Sequence, residues 1–292
     1  MANWSHTRVH NRFFGIWISD GNQLPPAGET ACPTYFAKRL IQQGGADGFA
    51  CRSNGHNQWS ASKMNNKPLP HTQLQSKSYA VERSVRLLTA SPGSAAENLL
   101  FDEFLLSQRE EALRFWECSR PVVVLGHGGR LKEQVRIDAC AADGVEVLRR
   151  GSGGGAVVLG PGCLNYSLIF SLEAHPAWRD VRRSVREILG RMAVALEAVF
   201  REPSDLACSE RKVSGNSQRR IAGALLHHGT LLYRFDAALA ARYLLEPTRQ
   251  PEYRRRRPHS EFLGNLPYSA VEIQQKVAAI WCAGGPETWG DH

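Results

Sequence analysis

The sequence predicts an α+β fold in which a mixed, largely antiparallel sheet is packed by helices. Apolar runs typical of strands, such as residues 122–125 and 164–170, are mixed with helical patterns without the strict alternation of a parallel sheet. Residues 181–200 carry the spacing of a long amphipathic helix that can cover one face of such a sheet. The hydrophobic fraction of 42% and the charged fraction of 22% are those of a globular protein with a sizeable core.

The predicted elements begin near residue 85. A short strand is expected at residues 85–88, and a helix follows whose start is marked by a capping box, with Ser94 as N-cap and Glu97 three residues later. We expect this helix to run to about Ala112. The apolar run at residues 122–125 then predicts a buried strand.

The rest of the chain continues this mixture of helices and strands. Further helices are expected at residues 132–143, 181–200, 239–245 and 270–281. Further strands are expected at residues 145–148, 156–159, 164–170, 211–213, 224–228 and 230–233. The sequence Gly160-Pro161-Gly162 predicts a turn between two of these strands.

Composition divides the 292 residues into three parts. Residues 1–80 are rich in Asn, Gln, Ser, Gly, Pro and His and lack a sustained hydrophobic period, which predicts a poorly ordered N-terminal extension. A small extra subdomain is the alternative for this part. Residues 81–283 hold the predicted folded domain, and residues 284–292 are expected to be a loose tail.

The chain has the features expected of a cytoplasmic protein. No apolar run reaches the ~18 residues of a transmembrane helix, and the N-terminus lacks the apolar core of a signal peptide. The seven cysteines are scattered and form no CxxC pair, which disfavours a structural zinc site and a disulfide framework. The formal charge of +8 suits an acidic partner or an anionic ligand.

A glycine-rich segment, RRGSGGGAV at residues 149–157, is the most informative part of the sequence. Three successive glycines, Gly153 to Gly155, expose backbone N–H groups that can wrap a phosphate or a carbonyl. Arg149 and Arg150 can add charge-assisted donors for an anion. A tight hairpin turn with solvated arginines is the simpler alternative, and the spacing matches no known phosphate loop.

A lysine lies in the strand-like segment RKVSGNSQRR at residues 211–220. Held rigidly beside small residues, Lys212 can donate hydrogen bonds to a developing oxyanion, although an ordinary edge-strand lysine gives the same pattern. The neighbouring pair His227-His228 suggests a metal site. Adjacent strand residues point to opposite faces, however, so we expect no metal there.

Together these segments resemble the lipoate–protein ligase A family, within the biotin/lipoate ligase-like catalytic superfamily. The resemblance covers about residues 83–270. It rests on the segments RRGSGGGAV (149–157), GPGCLNYSL (160–168), RKVSGNSQRR (211–220) and HHGTLLY (227–233), with Asn98, Asp102 and Glu103 in support. The loop that is typical of biotin ligases is missing, which disfavours biotin as the substrate. The matching segments imply a biotin/lipoate ligase-like catalytic domain at residues 81–283.

The resemblance implies a lipoate–protein ligase. Lipoate would react with ATP and Mg to give lipoyl-adenylate, and the lipoyl group would pass to a lysine of a lipoyl domain. The family's catalytic lysine falls on Lys212. Residues expected to bind ATP or lipoyl-adenylate are Arg150, Ser152, Gly153, Gly154, Gly155, Ala156, Val157, Val158 and Lys212. Candidates near the substrate are Asn165, Gly215, Asn216, His228, Gly229 and Thr230, and a tunnel for the acyl chain could be lined by Val157, Leu225 and Leu232.

The resemblance also implies partners. The acceptors would be the lipoyl domains of 2-oxoacid dehydrogenase E2 subunits or the glycine cleavage carrier protein. The chain ends soon after residue 280, so we expect no C-terminal accessory domain, and a separate accessory subunit could activate lipoate instead. Leu159-Gly160 stands where many ligases have a His-Asp pair. An alternative is therefore that the chain is a paralogue that has lost ligase activity.

Two other functions remain open. An octanoyltransferase of the same superfamily would use a cysteine thioester, with Cys163 or Cys208 as the candidate nucleophile. The alternative for Cys163 is a buried apolar residue, and for Cys208 an exposed incidental thiol. Nucleic-acid binding through the basic run at residues 254–257 is disfavoured, because aromatic interleaving and any known motif are missing. The same arginines could instead dock an acidic acceptor.

Overall fold

The computed structural model describes residues 85–89, 91 and 93–282. The predicted extension at residues 1–80 and the predicted tail at residues 284–292 lie outside the described residues. The described part confirms the expected fold class, because it combines a largely antiparallel sheet with helices.

A sheet of seven strands forms the centre of the described fold. Its strands stand in the order β1-β2-β6-β10-β9-β8-β7, and each neighbouring pair is antiparallel except β1 and β2. The strands are β1 (Arg86–Leu88), β2 (Ala112–Trp116), β6 (Cys163–Ser171), β7 (Val199–Arg201), β8 (Asp205–Cys208), β9 (Arg211–Ile221) and β10 (Ala224–Leu232).

A second sheet of three strands packs beside the first. β3 (Val122–Leu125) lies between β4 (Glu146–Arg149), to which it is parallel, and β5 (Val157–Leu159), to which it is antiparallel. β3 is buried along its whole length, as its unbroken apolar sequence predicts. The glycine-rich segment connects β4 to β5.

Seven α-helices surround the sheets in the described part of the chain. They are α1 (Ala95–Gln108), α2 (Leu131–Gln134), α3 (Ile137–Ala142), α4 (Val181–Ala195), α5 (Ala237–Tyr243), α6 (His259–Phe262) and α7 (Ala270–Trp281). The predicted capping box of Ser94 and Glu97 is present at the start of α1. Short 3₁₀ turns at Pro176–Arg179 and Glu252–Arg254 complete the set.

Several predicted boundaries were wrong. α1 ends at Gln108, before its predicted end at Ala112, because Arg109 takes a left-handed conformation. Ala112–Trp116 then forms β2, a strand that the sequence did not predict. The long helix predicted to reach Phe200 ends at Ala195 and leaves room for β7.

Two other predicted elements also differ. The helix expected at residues 132–143 is broken into two short helices, α2 and α3. The two strands expected on either side of Gly229 are one continuous strand, because β10 pairs with β6 and β9 along its whole length.

The large sheet has two different faces, which we call the core face and the loop face. On the core face, apolar side chains of the sheet pack against α4 and α7. They include Leu113, Leu164, Leu168, Leu206, Leu225 and Leu231. On the loop face, α1 covers one end of the strands through Ala112, Ile169 and Leu226, and the small sheet covers the other end through Cys163 and Leu232. The strip between these two apolar contacts carries the polar residues described below.

None of the helices in the described part of the chain combines the length and the apolar character that a bilayer-spanning helix requires.

Candidate active site

A β-bulge in β9 determines where Lys212 points. Asp205 pairs with Gly215 and Ala207 pairs with Lys212, so β9 holds one residue more than β8 over this stretch. Side chains alternate between faces along a strand, and one extra residue reverses that alternation. The bulge therefore places Lys212 on the same face as Gly215 and Ser217, which is the loop face.

The Lys212 ammonium is held by an ion pair and lies over a glycine. Its Nζ is 2.8 Å from Asp205 Oδ1, and the Lys212 side chain is 26% exposed. A Cβ on Gly215 would lie 2.8 Å from Lys212 Cε and 2.9 Å from Nζ, so the missing side chain at residue 215 makes room for the lysine. The ammonium is thus fixed in place while about a quarter of the side chain stays accessible.

Asp205 is itself fixed by a tyrosine. The Tyr253 hydroxyl donates a hydrogen bond of 2.7 Å to Asp205 Oδ2, the oxygen that does not face Lys212. Burial, together with the adjacent Asp205 charge, raises the pKa of Tyr253, so the phenol stays protonated and remains a donor. The Asp205 carboxylate therefore has one oxygen for the tyrosine and one for the lysine.

Arg150 stabilises the glycine-rich loop through hydrogen bonds from its side chain. The guanidinium is buried and donates to Ser152 Oγ at 3.0 Å and to the carbonyls of Val124, Gly153 and Gly155. Burial lowers the pKa of Arg150 to about 10, which leaves the side chain charged at neutral pH. The hydrogen bonds that we expected Arg150 to offer to a nucleotide are therefore made with the loop itself.

The neighbouring arginine has a similar role. Arg149 donates to the carbonyls of Gly126, His127 and Gly129, at 2.8 to 2.9 Å. A Cβ on Gly126 would collide with the Gly154 carbonyl oxygen, so the 126–129 turn and the glycine-rich loop pack closely. Both arginines act here as internal supports of the loop backbone.

The three glycines present free backbone donors. Within the described residues, no acceptor lies at hydrogen-bond distance from the N–H of Gly153, Gly154 or Gly155, and all three residues are exposed. Gly154 has φ of +90°, a conformation that glycine adopts without strain. Consecutive N–H groups of this kind form a concavity that binds anions. The N–H of the next residue, Ala156, is already bonded to Gln134 Oε1.

The glycine-rich loop is attached to the loop face of the large sheet at two points. Ser217 Oγ donates to the Gly153 carbonyl at 3.0 Å, and Ser152 Oγ lies 2.6 Å from His228 Nε2. Ser217 and His228 are cross-strand neighbours on β9 and β10. The loop therefore lies over the same strip of sheet that carries Lys212.

Behind His228 lies a buried charge network. His228 Nδ1 is 3.5 Å from Asp102 Oδ2, and Asp102 also pairs with Arg114 at 2.6 Å and accepts from Ser167 at 2.7 Å. Burial by itself would raise the pKa of Asp102, but the Arg114 charge and the hydrogen bonds from His228 and Ser167 lower it overall. Asp102 is thus an ionised carboxylate that contacts the His228 ring on the side opposite the glycine-rich loop.

His227, the neighbour of His228, lies on the core face. It is fully buried, with Nδ1 3.1 Å from Gln218 Nε2, and burial lowers its pKa to about 3. Its ring therefore remains neutral at physiological pH. The alternation that argued against a shared metal ion separates the two rings here.

The structure brings together part of the residues predicted from the sequence. On the loop face, Asn165, Thr230 and Gly215 form one cross-strand row that continues to Asp205. Asn165 is buried and donates to the Trp116 carbonyl at 3.2 Å. Val157 and Val158 belong to β5, beside the loop.

Other predicted residues lie on the core face, away from Lys212. Asn216 accepts a hydrogen bond of 2.7 Å from the Tyr166 hydroxyl and fills the space that a side chain at Gly229 would need. Leu225, expected to line a tunnel, packs in the core cluster instead. The sheet therefore separates Asn216, Gly229 and Leu225 from the candidate site, because strand neighbours alternate between faces.

The two candidate nucleophiles do not have the surroundings of an activated thiol. Cys163 is fully buried, and burial raises its pKa. Cys208 lies on the core face, with Sγ 3.9 Å from the Glu197 carbonyl, and burial raises its pKa too. The other described cysteines, Cys118, Cys140 and Cys282, also have raised pKa values through burial. A thiolate nucleophile needs the opposite shift.

The basic run at residues 254–257 is partly structural. Arg254 is buried and pairs with Glu246 at 2.5 Å, while Arg257 donates to the carbonyls of Glu210, Tyr253 and Arg254. Two of the four arginines are therefore used inside the fold.

Sequence reasoning missed four residues of this arrangement: Asp205, Tyr253, Arg114 and Ser217. Asp205 was visible as an acidic residue in the apolar run that precedes the lysine segment, but only the bulge shows that it faces Lys212. Arg114 was missed because no strand was predicted at residues 112–116. Tyr253 gave no signal, since it approaches from a distant 3₁₀ turn.

The sequence model of the Lipoyl protein ligase A/B catalytic domain matches residues 94–273. The probable lipoate-protein ligase A of Mycoplasma genitalium is 31% identical over 154 residues, 52% of this chain and 45% of that protein. The octanoyltransferase LipM of Carboxydothermus hydrogenoformans is 33% identical over 169 residues, 49% of this chain and 62% of that protein. The chain spans about half the length of the curated relatives it matches.

Solved structures share the fold. A bi-partite lipoate protein ligase from Thermoplasma acidophilum, described with its E2 lipoyl domain, superposes with a TM-score of 0.57 at 23% identity, covering 68% of this chain and 82% of that chain. A lipoate-protein ligase A bound with ATP gives a TM-score of 0.57 at 22% identity, covering 66% and 82%. At these identities the likeness extends to the fold alone.

Proposed function

Because the chain belongs to the lipoyl protein ligase A/B catalytic domain family, we propose that it is a lipoate–protein ligase that attaches lipoate to proteins. The lipoate carboxylate attacks the α-phosphorus of ATP, so that lipoyl-adenylate forms and pyrophosphate leaves. The lipoyl group then passes to the ε-amine of a lysine on a lipoyl domain. In the second step a C–N bond forms at the lipoyl carbonyl carbon, the bond from that carbon to the phosphate oxygen breaks, and AMP leaves. The acceptor ammonium gives up two protons to solvent, one before and one after the attack, and the third stays on the amide nitrogen.

One observation carries this proposal: the β9 bulge places Lys212 on the strip of sheet to which the glycine-rich loop is attached. The Lys212 ammonium lies over Gly215, and the loop is bonded to Ser217. Two residues of extended strand span about 7 Å. That separation suits an acyl phosphate bound between the ammonium on one side and the free N–H groups of the loop on the other.

The two groups complement the charge of the proposed reaction. An acyl-adenylate carries a negative phosphate, and negative charge grows on the carbonyl and bridging oxygens as the amine attacks. A fixed ammonium and oriented backbone N–H groups stabilise such charge without reorganising during the reaction. We assign this stabilisation to Lys212, Gly153, Gly154 and Gly155.

The remaining loop residues support this arrangement. Arg150 and Ser152 hold the loop backbone, and His228 fixes Ser152 from the sheet. We therefore propose that Arg150 contributes by shaping the loop rather than through a free guanidinium. The apolar cluster that contains Val157 and Leu232 lies beside the strip and is the proposed place for the acyl chain.

ATP is the proposed activating substrate, as the ATP-bound neighbour suggests. In the described part of the chain, His, Cys, Asp and Glu side chains form no cluster of three that could hold a metal ion. We propose that Mg²⁺ enters with ATP, bound to the nucleotide phosphates. The proposed acceptors are the lipoyl domains of 2-oxoacid dehydrogenase E2 subunits and the glycine cleavage carrier protein. We also propose a cytoplasmic location for the reaction.

An octanoyltransferase is the second candidate function. The similarity to an octanoyltransferase LipM favours it. The raised pKa of every cysteine in the described residues disfavours a thioester intermediate in this part of the chain.

Mass spectrometry of an unmodified lipoyl domain separates these activities. The full chain is incubated with the domain and with lipoate plus Mg-ATP, with synthetic lipoyl-adenylate, or with octanoyl-acyl carrier protein. We expect a lipoyl mass gain from lipoyl-adenylate. A mass gain with lipoate plus Mg-ATP would show that the chain also catalyses the activation step. A mass gain with lipoyl-adenylate alone would indicate that a separate accessory subunit activates lipoate.

The matched variant is Lys212→Ala, with Lys132→Ala on α2 as its control. We expect Lys212→Ala to lower the transfer rate by about 10²–10³-fold, as for other oxyanion-stabilising groups, and Lys132→Ala to leave it unchanged. Transfer only from the octanoyl thioester, or full activity of Lys212→Ala, would contradict the proposal.

A further inference from the structure

We propose that Asp205 and Tyr253 are positioning residues for Lys212, which hold its ammonium over Gly215, where the acyl donor is activated. This inference rests on the proposed function of Lys212. It adds two residues that act through the lysine rather than on the substrate. They come from β8 and from the 3₁₀ turn at Glu252–Arg254, which are distant from the lysine segment in the sequence.

The bulge makes the direction of Lys212 depend on a partner. A lysine has four rotatable side-chain bonds, and the free end of such a side chain is disordered unless something binds it. Asp205 Oδ1, at 2.8 Å from Nζ, supplies that contact from the adjacent strand. Because Gly215 offers no side chain, the lysine stem can lie flat along β9 between the glycine and the carboxylate.

Tyr253 limits what the carboxylate can do. Asp205 is buried, and a carboxylate has two oxygens that can accept hydrogen bonds in several directions. With Oδ2 bonded to the Tyr253 hydroxyl at 2.7 Å, only Oδ1 remains for the lysine. The tyrosine ring is itself packed against Phe262, with 5.1 Å between ring centroids. Tyr253 therefore sets the orientation of Asp205, and Asp205 sets the position of Lys212.

Charged groups of both signs surround this cluster. Arg201 of β7 lies over the Tyr253 ring, with its guanidinium carbon 5.7 Å from the centroid, and pairs with Glu210. Arg254 pairs with Glu246, and burial lowers the pKa of His259, which favours its neutral form. Asp205 is the carboxylate that contacts the Lys212 ammonium, so its loss would leave the lysine without this fixed partner.

The chain contains a natural control for this cluster. Tyr243 donates to Asp143 Oδ2 at 2.9 Å, and Asp143 pairs with Arg242, so a tyrosine, an aspartate and a basic side chain also meet at the end of α5. This second cluster belongs to the packing of α5 beside the small sheet and includes no residue of the candidate site. Tyr243→Phe and Asp143→Asn therefore match Tyr253→Phe and Asp205→Asn chemically.

The first measurement does not depend on activity. Reductive methylation with ¹³C-formaldehyde labels the lysines as charged dimethyl groups, and Lys212→Arg assigns the Lys212 signal in the NMR spectrum. We expect this signal to stand apart from those of the other lysines in the wild-type chain. Asp205→Asn and Tyr253→Phe should move it towards the position of mobile lysines, whereas Asp143→Asn and Tyr243→Phe should leave it in place. An unmoved Lys212 signal in both site variants would overturn the proposal.

The second measurement is a double-mutant cycle on lipoyl transfer from lipoyl-adenylate. Asp205→Asn should lower kcat about 10–100-fold, because it removes the contact with the ammonium itself. Tyr253→Phe should lower kcat about 3–10-fold, because the tyrosine acts on the lysine only through Asp205; both should change KM for the acceptor little. Neither change should have any effect in the Lys212→Ala chain, because both residues act through the lysine. Persistence of either loss in that chain would contradict the positioning role.

The two measurements separate the inference from the proposed function. If the wild-type chain transferred no lipoyl group, the proposed function would fail, and the NMR result would still decide whether Asp205 and Tyr253 hold the lysine.

Discussion

The two faces of β10 show how one strand serves two purposes. On the core face, Leu225, His227 and Leu231 are buried against the packing of α4 and α7. On the loop face, His228 and Thr230 lie in the polar strip beneath the glycine-rich loop. The residues of the two sets alternate along the chain.

The contrast between the faces is one of ion pairing. The loop face concentrates ionic groups between two apolar contacts, with the Arg114–Asp102 pair near α1 and the Lys212–Asp205 pair near the sheet edge. On the core face, even a histidine is held neutral by burial. Substitutions on the core face should therefore change stability, while substitutions in the polar strip should change activity. Substitutions in the buried Arg114–Asp102 pair should change both stability and activity.

The largest effect is expected at the buried Arg114. Arg114→Met leaves the Asp102 carboxylate buried without its counter-ion, which costs about 3–5 kcal/mol of unfolding free energy. Arg114→Met with Asp102→Leu should recover much of this loss, because no uncompensated charge remains. Urea unfolding of both variants measures the difference, and a single variant as stable as wild type would show that Asp102 is not held by Arg114.

The second prediction concerns the pH dependence of stability, which we attribute to His227 on the core face. The pKa of His227 is lowered to about 3 in the fold, against about 6.5 in an unfolded chain, so the unfolded state binds more protons between these values. Stability should therefore decrease as pH falls below about 6.5, by about 2 kcal/mol at pH 5. His227→Phe should lose less stability over the same range in urea unfolding. An identical pH dependence in the two chains would show that His227 is not responsible.

Substitutions of two glycines, one on each face, test the different roles of the two faces. Gly229→Ala places a Cβ against Asn216 and the Gly215 carbonyl, so we expect a loss of about 1–3 kcal/mol of stability. Gly215→Ala displaces only the flexible end of Lys212, so we expect near-normal stability and about tenfold slower lipoyl transfer. Thermal unfolding and transfer kinetics are measured on both. The reverse pattern would contradict the assignment of the faces.

The smallest effect is expected at the attachment of the loop. Ser217→Ala removes the hydrogen bond to the Gly153 carbonyl and should weaken transfer about 3–10-fold. Ser214→Ala is the matched change on the core face of the same strand, where the hydroxyl bonds to Asn216. It should leave the transfer rate of the folded protein unchanged. Equal losses in kcat/KM would show that the loop does not depend on Ser217.

Local patterns in the sequence predicted much of this arrangement. The Ser94–Glu97 capping box, the apolar run of β3 and the glycines of the loop each act over a few residues, so their consequences are readable without a fold. The alternation of strand residues likewise predicted that His227 and His228 face opposite sides.

The rest depended on contacts between distant residues. β2 was missed because Arg114 interrupts its apolar pattern, and only the fold reveals the buried partner Asp102 that makes an arginine acceptable there. The bulge that turns Lys212 towards the loop is set by pairing with β8 and has no signature in the residues of β9 alone. The same limit explains why Asn216 and Gly229 were expected beside the substrate and lie on the core face.

The most direct test of the central claim is a crystal structure with a non-hydrolysable lipoyl-adenylate analogue, such as the acyl sulfamate. We predict that the analogue lies on the loop face, with Lys212 Nζ and the N–H groups of Gly153 to Gly155 within about 3 Å of its carbonyl and sulfamate oxygens. An analogue bound elsewhere, or bound to the loop while Lys212 remains out of reach of it, would contradict the account.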